Sequence, residues 1–300
     1  MILAKKIIVF SGALFFAASS SNAQDIHFSQ YEQAPLTLNP AKAGVYDGYY
    51  RFITNYRTQW GVMGKPYRTF GASFDKPWIE GKAKKAYIGT GIDLFSDRAG
   101  DASFGMTEAK ISISAIVPMN DFNKVSVGIY GGAAQGSVRI STIKWGNQYN
   151  GQTYDPTISS NENGLTSFVY GDFGAGVMYE FSNVKNSFVA KDIIKVNAGF
   201  ALFHVNTPRQ EFLSSAIDNL EMKYVGHANV RYDFPGSKMS VCPSVIYLQQ
   251  GPASEINGGL LLRMQLSGGT KVTGFFNESA LLFGTNFRYR DALSFLRGFD

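Results

Sequence analysis

The 300-residue chain has a single cysteine, Cys242, which excludes an intrachain disulfide framework. Charge is also scarce, with Asp, Glu, Lys and Arg together at 17%. The three histidines, His27, His204 and His227, lie too far apart to show the paired spacing of a structural metal site. No G-x-S-x-G, P-loop or H-E-x-x-H is present. The expectation is therefore a protein that is not an enzyme and needs no cofactor or metal. The basic excess of +5 gathers into no run beyond Lys82, Lys84 and Lys85, which argues against nucleic acid as a partner. A run of ~20 apolar residues, the length a membrane-spanning helix needs, is missing too.

The one sustained apolar stretch, Ile7 to Ala18, follows Lys5 and Lys6 and is followed by Ser21-Asn22-Ala23 and then Gln24. A positive start, a short apolar middle and small residues at −3 and −1 make the pattern of a cleaved secretory signal peptide over 1–23.

Glycine (32 residues), phenylalanine (24) and tyrosine (16) are abundant, a mixture that suits pleated sheet. Polarity alternates with period two in eleven windows: 49–60, 68–76, 86–96, 104–117, 125–136, 167–181, 193–205, 222–232, 239–249, 256–267 and 279–290. In 104–117, for example, Ala109, Ile111, Ile113 and Ala115 oppose Glu108, Lys110, Ser112 and Ser114. Most windows reach the ~9–11 residues of a tilted bilayer-spanning strand. Their apolar faces avoid charge, as lipid contact requires, because Arg or Lys at mid-bilayer costs ~2–4 kcal/mol. The longest links, 137–166 and 206–221, fall on one end, the exterior by the habit of outer-membrane barrels. The expected fold is all-β: a transmembrane antiparallel up-and-down β-barrel of about 12–14 strands in the complete protein. Leu293 to Phe299 reads as a strand just begun, so the last strands are expected to be missing. The expected division is a signal peptide over 1–23, a periplasmic or plug segment over 24–48 and the barrel over 49–300.

The segment opens with "FSQY" and "PLTLNPAKAG", followed by "NYRTQW" (Asn55 to Trp60) and "YRTFGASFD" (Tyr67 to Asp75). With "SDRAGD" (Ser96 to Asp101), "FHVNTP" (Phe203 to Pro208) and "CPSVIYLQQG" (Cys242 to Gly251), the chain resembles the PorP/SprF family. That resemblance implies an outer-membrane barrel of Bacteroidetes-type bacteria that serves type IX secretion and, in several branches, gliding motility. It also implies that the barrel works with translocon components and with a secreted surface protein, which it binds or anchors without chemistry.

Three groups of candidate residues follow. The segment 24–48 is too polar for lipid and too apolar to hang free. It is expected to pack into or beneath the barrel and to offer a partner surface through Phe28, Tyr31, Leu36, Asn39, Pro40 and Gly44. The loop aromatics Trp145, Tyr149 and Tyr154 are further partner-contact candidates, since exposed aromatics favour recognition. The charged face should line a lumen, with Arg51, Arg57, Lys110, Lys195, Lys223, Arg231, Arg263, Arg288 and Arg290 against Asp75, Asp93, Glu108, Asp172 and Glu180. This face reads either as an internal salt-bridge network or as the wall of an anion-leaning channel. His204 falls by parity on the apolar face, as a hydrogen-bonded histidine at the rim.

Overall fold

Where apolar and polar residues alternate for ten residues or more, neighbouring segments can pair along their full length with one face kept free of charge. A computed structural model describes residues 25, 28, 30–46, 48–62, 65–78, 85–100, 104–138, 143–160, 167–183, 194–213, 216–267 and 279–299. The strands are β1 (Arg51–Gln59), β2 (Tyr67–Trp78), β3 (Tyr87–Ala99), β4 (Phe104–Pro118), β5 (Asn123–Ser137), β6 (Phe168–Ser182), β7 (Ile194–Phe203), β8 (Arg209–Leu213), β9 (Ala216–Asn219), β10 (Lys223–Asp233), β11 (Met239–Gln250), β12 (Ala253–Ser267), β13 (Ser279–Arg288) and β14 (Ala292–Phe299). Twelve of them form one antiparallel sheet in chain order, and β8 and β9 make a separate hairpin in the link between β7 and β10.

With the strand read as beginning at Leu293, the eleven windows account for the twelve sheet strands among the described residues, since 292–299 pairs with β13 over its whole length, from Arg288↔Ala292 to Leu281↔Phe299. One expectation needs correction. The link 206–221, read as loop, contains the β8–β9 hairpin, whose short strands are too brief to show a period. The signal-peptide window 1–23 lies outside the described residues.

The greasy face points outward. Phe52 is 67% exposed, Ile111 60% and Ile129 60%, while Asp75 and Asp172 are each 1% exposed. Stacked sheets would have buried those apolar rows against each other. A continuous apolar exterior around charged inward residues is the inverse pattern, and it matches a hydrocarbon surround. The register keeps charge together on the inside, with Asp93 opposite Lys110 while Ile92 lies opposite Ile111 on the outside.

The sheet curls around residues 28–46. Pro35 starts a single α-turn, Pro35–Leu38, and Asn39 then caps a 3-10 turn, Pro40–Lys42, by accepting from the Ala41 N–H at 2.9 Å. Gly44 has φ +69°, a conformation open to glycine. Strands on every arc touch this segment. Asn55 on β1 donates to the Gln33 carbonyl. Phe95 on β3 meets Phe28 edge-on at 6.0 Å. Tyr31 donates to Ser244 on β11 at 3.0 Å. Leu261, Leu282 and Leu296, on β12, β13 and β14, line a small cavity with Gln30 and Gln33. A flat sheet could not bring both of its edges to one short peptide, so the sheet is a barrel with a filled lumen.

Candidate functional site: the occupied lumen

The inner half of the segment is held by hydrogen bonds, mostly neutral, and by the absence of side chains at points on the wall. Ser114 donates to the Ala43 carbonyl at 2.6 Å, and Ser126 to the Ala41 carbonyl at 2.6 Å. Asn39 Nδ2 donates to the Val177 carbonyl at 3.0 Å and lies 3.2 Å from His227 Nε2. Inward glycines on β3, β5, β6 and β7 clear the path. A Cβ at Gly128 would stand 2.6 Å from Ala41 N, and one at Gly199 would stand 2.8 Å from Asn39 Nδ2. At Gly89 a Cβ would collide with the Ala43 carbonyl, and at Gly176 with Asn39 Oδ1. Asp75 accepts from Gly44 N at 2.8 Å and takes a two-pronged contact from Arg51, which also donates to the Lys42 carbonyl.

The segment also buries charge. Burial pushes the Lys42 ammonium down to about 8 against the opposing pull of Glu32. Burial likewise raises the Glu32 carboxyl despite Lys42 and the bonds from Ser244 and Asn229. Burial lifts the Tyr31 and Tyr46 phenols, each to about 12.

At the outer end, Asp25 donates its backbone N–H to Gln250 at 2.8 Å. Its carboxylate lies 2.6 Å from His204 Nε2 and 3.4 Å from Lys223 Nζ. Burial alone would raise the Asp25 carboxyl, but Lys223 and His204 outweigh it and hold it well below the usual range. His204 Nδ1 faces Asp172 at 2.8 Å, and Asp172 also accepts from the Tyr130 hydroxyl at 2.9 Å. With carboxylates on both ring nitrogens and no acceptor capacity needed, the ring is satisfied as the doubly protonated imidazolium. Lys110 completes the cluster, 2.5 Å from Glu108 and 3.7 Å from Asp172.

A family model described as type IX secretion system membrane protein PorP/SprF matches residues 20–300. The chain belongs to the PorP/SprF family. It is an outer-membrane protein of the type IX system. No curated protein matches it. Among solved structures, the beta domain of the Bordetella autotransporter Brka is similar, with a TM-score of 0.42 and 11% identity over 83% of this chain and 94% of that one.

In this PorP/SprF protein the charged lumen residues are grouped around the segment. Arg51 pairs with Asp75 at 2.8 Å. Glu180 sits between Lys124 at 3.4 Å and Lys195 at 3.6 Å. Arg231 pairs with Asp233 at 2.8 Å, and Arg288 bridges Glu255 at 3.0 Å and Asp291 at 2.7 Å. Glu108, Lys110 and Asp172 meet at the outer end. Asp93 and Arg263 are buried and face inward, and Arg57 is half-buried near Asp97 and Arg288. Arg290 departs from expectation: it lies exposed in the turn after β13 with φ +63°, outside the lumen.

The segment residues expected to offer a partner surface are packed against the barrel wall. Phe28, Tyr31, Leu36, Asn39 and Pro40 are buried and Gly44 packs against Gly89; of the six, Phe28 and Tyr31 also line a cavity at the outer end. Their apolar content already signalled packing; what it could not tell was which of them would also border open space. Trp145 and Tyr154 are partly covered in the loop after β5, while Tyr149 is exposed and bridges Tyr154.

Parity misplaced His204. The strand ends at Phe203, and φ +57° at His204 turns its side chain inward, where it is 1% exposed. A readable hint was the turn chemistry of Asn206 and Pro208 immediately after it. Asp25 and Tyr130, its neighbours in the cluster, carried no pattern that pointed to each other.

Proposed function

We propose that this barrel serves type IX secretion without catalysing a reaction, by binding or anchoring a cognate secreted cell-surface protein of the gliding-adhesin type at the outer membrane. The observation that carries the reading is the family match over 20–300, taken with a lumen occupied by the chain's own residues 28–46. A channel needs a clear path, and here the Asn39 to Gly44 stretch is locked to β2, β4, β5 and β6 across the lumen. Binding at the exterior end asks for no such path. Translocon components and the exported protein are the expected partners, with the bilayer as the surround.

Deleting the gene tests this. A particular type IX surface protein should vanish from the cell exterior and return on complementation, and it should co-purify with tagged barrel from outer membranes. An unchanged set of surface proteins would overturn the proposal.

A further inference from the structure

Between the outer half of the lumen segment and the β8–β9 hairpin lies a cavity of about 590 Å³. That is within the ~300–1,000 Å³ of sites that enclose ligands. Its floor is made by Phe28, Tyr31 and Leu38 of the segment, and aromatic walls come from Phe95, Tyr170 and Phe203. Residues of the hairpin and its exit, among them Gln210, Asp218 and Glu221, form the remaining side.

The charges are unequal. Among the described residues, Asp25, Asp97, Glu108, Asp218 and Glu221 line the cavity against Lys110 and Lys223. Both lysines are already matched, Lys110 by Glu108 at 2.5 Å and Lys223 by Asp25 at 3.4 Å. Asp97 is buried, accepts from Thr69 at 2.6 Å and has Arg57 nearby, so the unmatched carboxylates are those at the mouth. Asp218 and Glu221 stand exposed at the mouth. An anionic ligand would meet this surplus of carboxylate, and a purely apolar one would strip water from it with nothing in return. The aromatic floor, in turn, offers little to a small hydrophilic cation.

We infer that this cavity binds an extended polypeptide segment that carries lysine or arginine between apolar side chains. The inference rests on the partner-binding reading above and deepens it by locating the contact. The cavity ends on the segment inside the barrel, at the end where the longest links emerge, so a peptide could enter and stay but not pass through. Apolar side chains would cover the aromatic walls, and the cationic group would sit with Asp218 and Glu221. Complementary charge at such a mouth raises capture rate and selects against acidic chains.

The test uses the full chain folded in detergent micelles and two fluorescein-labelled peptides, Leu-Lys-Phe-Arg-Leu and Leu-Glu-Phe-Glu-Leu, titrated by anisotropy. The basic peptide should bind saturably and weaken as salt is raised. The double variant Asp218→Asn/Glu221→Gln should bind it about tenfold more weakly, with unchanged heat-modifiable gel migration showing that the barrel is intact. Equal binding of the acidic peptide, no saturable binding, or an unaffected double variant would overturn the inference. Tagged wild type and double variant are also recovered from outer membranes. If both retain the same exported protein, the cavity assignment is wrong and the partner-binding reading survives. If wild type retains none, that reading fails independently of the titration.

Discussion

Single residues decide whether the lumen can hold its segment. Gly176 leaves room for Asn39, and a side chain there would occupy the same space. Gly176→Val is expected to expel the segment while the outward-facing strand pattern stays intact. Limited proteolysis of the micelle-folded protein checks this, with cleavage within 28–46 rising at least about tenfold, as local opening becomes cheap. Gly226→Val is the control, because no heavy atom lies within 4 Å of a Cβ at that site. Asp25 acts at the other end. Its carboxyl is held below the ordinary 3.8, so its contribution to docking is complete above that value and is lost as pH falls below it. Glu32 has the opposite sign, since its raised carboxyl favours docking once protonated. Comparison with Asp25→Asn isolates the first effect. Hydrogen exchange of 28–38, corrected for intrinsic rate, should accelerate relative to this variant's own baseline as wild type is taken below pH 3.8, whereas the variant should lack that step. None of this was legible as such in the sequence. Glycine abundance pointed to sheet, but the match between inward glycines and one short peptide exists only after the strands are in register.

Elements were far more readable. Alternation in 104–117 assigns Ile111 and Ile113 to one face and Ser112 and Ser114 to the other, and in the structure the first pair is exposed and the second buried. The physical reason is that period two is a property of the backbone itself. Ends were less readable, because polarity says little where a strand leaves the sheet. His204, one residue past the end of β7, and Arg290, two past the end of β13, both followed parity into positive φ. The hairpin of β8 and β9 is too short to have a period at all. The outward face makes a prediction of its own: Ile113→Arg places a cation in the apolar belt of β4 and should destabilise the folded barrel by ~2–4 kcal/mol. Denaturant titration of folding into liposomes measures it. Ile113→Leu at the same site should be close to neutral.

At the scale of the whole molecule, the sheet and its contents behave as two parts with different solvents. Hydrocarbon meets the outer face, while the inner face is solvated by the chain's own peptide groups and by paired charges. Removing residues 25–46 should leave strands that still span a bilayer around an emptied lumen. Planar-bilayer recordings of that variant are expected to show steady ion conductance that the full chain lacks, and the loss of the Arg51 contact to Lys42 should favour anions, since the wall's basic residues then face water. Equal conductance of both proteins would show that residues 28–46 do not block the lumen.

The inner end of the lumen peptide leads directly into the first strand, and its partners are spread over nearly every later strand. A finished cylinder would offer it no lateral entrance. The peptide is thus expected to take its place before the last strands close the wall, and once enclosed it braces opposite arcs of the cylinder from within.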